Sequence, residues 1–175
     1  MPPYPSPLLA NGKEYDLLHL SPFTFTVEST AAQKKLVVFV RFSLHCIAVK
    51  YGDIPHPAGF PIMLDNGGRE RSFCHTRYEL SKQLPCIIRG LVQKKVIQTA
   101  SRRNWVYTLE IETPKGPYYV FFEIRRSSRD GLDLDLFVES AYPKLTGSAP
   151  KLLGKMKFAM LCGKIYQGKA VATRR

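Results

Sequence analysis

Residues 105–141, WVYTLEIETPKGPYYVFFEIRRSSRDGLDLDLFVESA, contain three runs in which side chains alternate in character: Trp105–Thr113, Tyr118–Arg126 and Leu132–Ala141. Alternation with period two, rich in aromatic and β-branched residues, is the pattern of strands with two unlike faces. The connections, Pro114–Pro117 and Ser127–Gly131, are too short for a crossover, so the three runs are expected to form an antiparallel meander. One face then collects Trp105, Tyr107, Leu109 and Ile111, then Tyr118, Val120, Phe122 and Ile124, then Leu132, Leu134, Leu136 and Val138. The other collects Glu110, Glu112, Glu123, Asp133, Asp135 and Glu139 beside Phe121, Phe137 and Arg125, and reads as mainly acidic.

An apolar sheet face needs a cover, and the preceding segment supplies a candidate. Between Ser72 and Thr99, Leu80, Leu84, Ile87 or Ile88, and Leu91 recur every three to four residues, which predicts helix. Pro85 predicts a division into a short helix and a longer one that it starts, running to about Lys95. Ser72 or Thr76 is the expected cap of the first, and Lys94 and Lys95 suit the end of the second.

Further upstream, Phe23–Val27 (FTFTV) and Leu36–Val49 (LVVFVRFSLHCIAV) predict a hairpin joined across 28–35. Asp53–Gly68, with Pro55, Pro57, Pro61 and the Asn66-Gly67-Gly68 turn signal, predicts a long surface loop. Residues 1–20, with Pro2, Pro3, Pro5 and Pro7, predict an extended arm. The fold class is therefore α+β: residues 21–145 form one domain, preceded by the arm and followed by a basic segment over 146–175 that is partly helical. Within that segment Pro150–Gln167 has the pattern of an amphipathic helix interrupted by Gly154 and Gly163.

The charge is unevenly placed. The chain carries 26 Lys and Arg against 14 Asp and Glu, a net +12, and eight of those cations with no acid lie between Lys144 and Arg175. Such an excess points to a polyanionic partner, nucleic acid first and RNA ahead of DNA. At 175 residues and 45% hydrophobic, the chain can bury a true core. No run approaches the roughly 20 apolar residues of a membrane span. No secretory signal is visible, so a cytoplasmic protein is expected, with Cys46, Cys74, Cys86 and Cys162 reduced. Nucleotide-cofactor and serine-hydrolase motifs are absent, so no cofactor is expected. His45, Cys46, Cys74 and His75 occur as adjacent pairs, which diverge and make poor chelates, so no metal site is expected.

Candidate chemistry clusters in three places. Phe73–Ser81 (FCHTRYELS) gathers His75, Arg77 and Tyr78 within one helical turn: an imidazole for proton transfer and a guanidinium for phosphate. Arg102 and Arg103 stand beside Trp105, a grip for phosphate and base, and Arg125, Arg126 and Arg129 extend that edge. Ser140, Tyr142 and Lys144 close the third strand, with Lys151 and Lys155 following. His45 reads as a hydrogen-bonded strand residue. The bland alternative for each is a solvated charge or a strand terminator.

The order of helix, Arg-flanked strand and two further antiparallel strands ending in Ser140-Ala141-Tyr142-Pro143 resembles the core of the barnase, EndoU, colicin and RelE-like ribonuclease superfamily over about Ser72–Lys144. That resemblance implies a metal-independent, toxin-like endoribonuclease, with His75 and Arg77 as the helix-side pair, Arg102 or Arg103 on phosphate, and Ser140 or Tyr142 as the closing hydroxyl. It also admits an inhibitory protein partner. FCHTRY, LFVESAYP and the basic tail equally suit a separate bacterial family. Two other readings stand beside it: a non-catalytic nucleic-acid or protein-binding module, and a membrane-surface protein using Pro150–Gln167.

Overall fold

The computed structural model describes residues 6–100, 106–111, 113, 116–143 and 151–171, with the backbone alone over 106–110. In chain order these form β1 (Leu8–Ala10), β2 (Lys13–Tyr15), β3 (Phe23–Ser29), β4 (Lys34–Phe42), β5 (Ala48–Lys50), β6 (Met63–Leu64), β7 (Glu70–Phe73), α1 (His75–Ser81), α2 (Leu84–Gly90), β8 (Lys95–Thr99), β9 (Val106–Ile111), β10 (Tyr118–Arg126), β11 (Leu134–Pro143), β12 (Leu152–Lys157) and α3 (Phe158–Tyr166). The architecture is α+β. A seven-stranded sheet runs β12-β8-β9-β10-β11-β4-β3, with smaller sheets β5-β7-β6 and β1-β2.

The meander is present as β9, β10 and β11, and its expected apolar face is the core: Tyr118, Val120, Phe122, Leu134 and Val138 are fully buried. The upstream hairpin pairs as β3 and β4 and joins the meander through β4, which lies parallel to β11 with Leu134 opposite Val38. Every other pairing in the large sheet is antiparallel.

β11 departs from simple alternation at one point. Phe121 faces Ser140 while Phe122 faces Val138, so Glu139 is an extra residue, a β-bulge. A one-residue insertion exchanges the faces of everything beyond it. Uninterrupted alternation would turn Ser140 and Tyr142 inward with Val138. Instead Ala141 and Pro143 are buried, and Ser140 and Tyr142 share the outward face with Phe137.

Several expectations are corrected. The predicted extended arm over 1–20 is, from Leu8 onward, a hairpin and a 3-10 turn that place Ala10, Leu17 and Leu20 in the core. Its Asn11-Gly12 tip docks on the 57–60 loop, where Asn11 Nδ2 donates to Ala58 O at 2.7 Å. The long second strand ends at Phe42 rather than Val49, because Ser43 caps a 3-10 turn over 44–46 with its hydroxyl and the chain re-enters a different sheet as β5. Neither Ser72 nor Thr76 caps α1: Ser72 lies in β7 and Cys74 holds the cap position without a side-chain bond. Pro85 does start α2, but that helix ends at Gly90, and Lys95 begins a strand.

The cover of the sheet is also different. α2 contributes Leu84 and Ile88 to the core, but α3 is the helix that lies along β3, β10 and β11. Phe158 stacks on Phe25 and meets Phe122 edge-on, while Leu161 and Cys162 are fully buried. The described part of the C-terminal basic segment, residues 151–171, is therefore part of the core, as edge strand β12 followed by α3. No helix among the described residues is long and apolar enough to cross a membrane. All four cysteines are unpaired.

Gly163 does not interrupt α3. A Cβ there would sit 2.3 Å from Ser29 Oγ and 2.9 Å from Ala31 Cβ, so its absence allows the helix to approach the β3–β4 turn. Alanine would gain about 1 kcal/mol of helix propensity against an overpacking cost of about 1–3 kcal/mol. Gly163→Ala should lower stability in denaturant unfolding; a stabilised variant would show that this contact relaxes freely.

Candidate functional site

An open cavity of about 790 Å³ lies where the 43–46 turn, the β6–β7 hairpin and the outer half of β11 meet; Ser43, His45, Asp65, Arg69, Phe137 and Ser140 are in its wall. The capping turn after β4 presents His45, and the bulge in β11 presents Ser140. The Asn66-Gly67-Gly68 turn between β6 and β7 supplies the rest, since Gly68 adopts φ +72, a backbone conformation that costs glycine little.

Asp65 organises this turn. Its Oδ1 accepts from the amides of Gly67 (2.9 Å) and Arg69 (3.0 Å), and its Oδ2 accepts from Arg69 Nε (3.1 Å) and from Arg71 Nε and Nη2 (3.0 and 2.7 Å). The Arg69 amide, followed by the Arg71 guanidinium, holds this carboxyl far below the usual carboxylate range. Among the described residues the terminal nitrogens of Arg69 and Nη1 of Arg71 have no further partner, and Arg69 is largely exposed.

The same Oδ2 lies 3.1 Å from His45 Nε2. An ionised carboxylate can only accept, so the imidazole proton sits on Nε2 and the lone pair on Nδ1. Nδ1 has no partner among the described residues. Burial pushes the imidazole below its ordinary value and outweighs the hydrogen bond that His45 donates to Asp65, which acts in the opposite direction. His45 is thus a neutral, oriented base on a cavity wall, sharing its carboxylate oxygen with two guanidiniums.

Those of the residues singled out from sequence that are described are not assembled into one site. Arg77 is largely buried and donates through Nη1 to His45 O (2.7 Å) and Ala48 O (2.8 Å), while its guanidinium stacks 5.0 Å from the Tyr142 ring. Through Nη1 that cation braces the turn carrying His45, and it lies outside the cavity wall. Burial raises the Tyr142 phenol above its ordinary value. His75, at the start of α1, is exposed and packs edge-on against Phe60 and Phe73, outside the cavity wall. Of the predicted catalytic set, only Ser140 reaches the cavity.

The described part of the predicted basic edge is divided. Arg126 lies over Tyr166 and Arg129 over Phe39 at one end of β10, whereas Lys155 sits on β12, three strands away, and Lys151 just precedes it. Arg102, Arg103 and Lys144 lie outside the described residues. Sequence reading passed over His45, Asp65, Arg69 and Arg71 as a set, although an Asp-Asn-Gly-Gly turn flanked by arginines is a visible signal.

The chain belongs to the YjaZ family, whose model matches residues 7–166. No curated protein and no solved structure matches it.

Removing Arg77 strands two carbonyls that now receive a charged donor. Arg77→Ala should lower unfolding stability by about 2–4 kcal/mol, and Arg77→Lys, which keeps the charge but not the planar group over the Tyr142 ring, should recover only part of it. Thermal and urea unfolding measure this; a neutral Arg77→Ala would show the turn to be held elsewhere.

Proposed function

We propose that this member of the YjaZ family binds RNA and cleaves it in a metal-independent, toxin-like manner, with His45 as the base. The observation that supports the reading most directly is the 3.1 Å contact between His45 Nε2 and Asp65, which leaves Nδ1 without a partner among the described residues in a cavity that Arg69 and Arg71 also line. In this reading Nδ1 removes the proton of a ribose 2′-hydroxyl and the resulting oxygen attacks the adjacent phosphorus. The 5′-oxygen leaves, taking a proton from water, to which the cavity is open. The products are a 2′,3′-cyclic phosphate and a 5′-hydroxyl. Arg69 and Arg71 would balance the charge that gathers on the non-bridging oxygens, and the Ser140 hydroxyl would donate to one of them. The net charge of +12 favours a polyanionic substrate and its rapid capture.

A binding module without turnover is the second reading. It is favoured by Asp65 itself, whose bonds to both arginines make the turn rigid whether or not any chemistry occurs there. The two readings differ in product: salt-sensitive binding with intact RNA belongs to the module alone.

Purified protein incubated with RNA should yield cyclic-phosphate ends, and His45→Ala should slow the reaction by roughly 100-fold or more, while His75→Ala leaves it near the wild-type rate. Because the base must be neutral, the rate should fall on acidification with a midpoint below the ordinary imidazole value of about 6.5. Cleavage undiminished in His45→Ala would remove the assignment.

A further inference from the structure

The outward face of the large sheet is more aromatic than a solvent face requires. Phe39 on β4, Phe121 on β10, and Phe137 and Tyr142 on β11 all point away from the helix-covered core and remain partly exposed. Phe121 stacks on Tyr142 with centroids 5.2 Å apart and planes 24° from parallel, and Tyr119 stacks on Phe121 at 6.1 Å and 21°. Arginines stand over or beside the rings: Arg41 is 5.8 Å from Phe137, directly across the β4–β11 ladder, and Arg129 is 4.0 Å from Phe39. Arg125 is exposed on the same face.

At least one carboxylate of this face is matched by a cation. Asp135 is paired with Arg129, and neither Glu123 nor Glu139 is without a partner. What the face offers a ligand is ring surface bordered by guanidinium groups.

The platform is continuous with the cavity. Phe137 and Ser140 belong to both, and Ser140 lies directly opposite Phe121 in the ladder because of the bulge at Glu139. A strand with its ribose at His45 would pass Ser140 and meet Phe137 on one side and the Phe121–Tyr142 pair on the other.

We infer that this sheet face is a stacking platform for unpaired bases running into the His45 cavity, so that the ligand class is single-stranded RNA. The inference rests on the proposed RNA reading and specifies its substrate. A ring face is complementary to an unpaired base, whose π-surface a duplex hides within its stack. Arginine beside a ring adds phosphate attraction and cation–π contact in one group. The net charge of the chain matches a polyanion.

The test uses a fluorescent 2′-O-methyl oligonucleotide, which lacks the attacking hydroxyl and stays intact, so binding is read apart from cleavage. Wild-type protein should bind the single strand more tightly than the same sequence as a duplex. Phe121→Leu/Phe137→Leu, which keeps apolar volume and removes the ring faces, should weaken single-strand binding roughly tenfold or more with the unfolding transition retained. Unchanged affinity in the double variant overturns the platform, as does equal affinity for duplex, single strand and inorganic polyphosphate. If the variant binds as tightly as wild type while His45-dependent cleavage persists, only the platform falls. If wild-type protein neither binds nor cleaves RNA, the functional reading falls with it.

Discussion

Glu139 is one residue more than the ladder between β10 and β11 can pair, and that surplus determines what the outer half of β11 presents. Below it, Leu134, Leu136 and Val138 face the core. Above it, the core positions pass to Ala141 and Pro143, and Ser140 and Tyr142 turn outward beside Phe137. A pleated strand has only two sides, so no smaller change achieves this. The cavity wall, the aromatic row and the seat for Arg77 on the Tyr142 ring all follow from it. Where β11 bends away from strict register, β4 has also ended, and the 43–46 turn fills the vacated position: Ser43 N donates to Val138 O at 2.9 Å. The bulge and the end of β4 thus bring His45 and Ser140 to the same cavity.

Charge at that site is arranged for orientation more than for attraction. Asp65 is nearly buried yet accepts from two guanidiniums, two amides and an imidazole, so its own charge is closely matched. The consequence for His45 is a fixed tautomer with little added basicity, since burial dominates its titration. A base of that kind is weak but constantly available near neutral pH, and its reach is set by how firmly its turn is held. Arg77, bonded to the carbonyl of His45 within that turn and to that of Ala48 just past it, provides the hold.

Legibility from sequence followed the range over which each element is specified. The meander was readable because three long alternating runs with short connections determine their own pairing, and the β3–β4 hairpin for the same reason. Pro85 marked a helix start because its fixed φ acts locally. The N-terminal hairpin was missed although Asn11-Gly12 is a hairpin signal, since the prolines before it dominated the reading. β8 and β12 are short, lysine-bearing strands that exist because each completes the other at the sheet edge. The cavity draws on 43–45, 64–71 and 137–140, three segments that nothing in local pattern connects. His75 and Arg77 looked catalytic by spacing alone; their surroundings, rings for one and carbonyls for the other, are tertiary facts.

The parallel contact between β4 and β11 has a bearing on how the protein is made. Val37 and Asp133, which bond each other at the start of this pairing, are 96 residues apart. As the chain leaves the ribosome at about 5–20 residues per second, β4 must wait for several seconds with a bare hydrogen-bonding edge before its neighbour is synthesised. The covering helix α3 arrives later still. The nascent β3–β4 hairpin therefore keeps an unpaired edge, and a pause in translation between β4 and β11 would prolong its exposure to other chains.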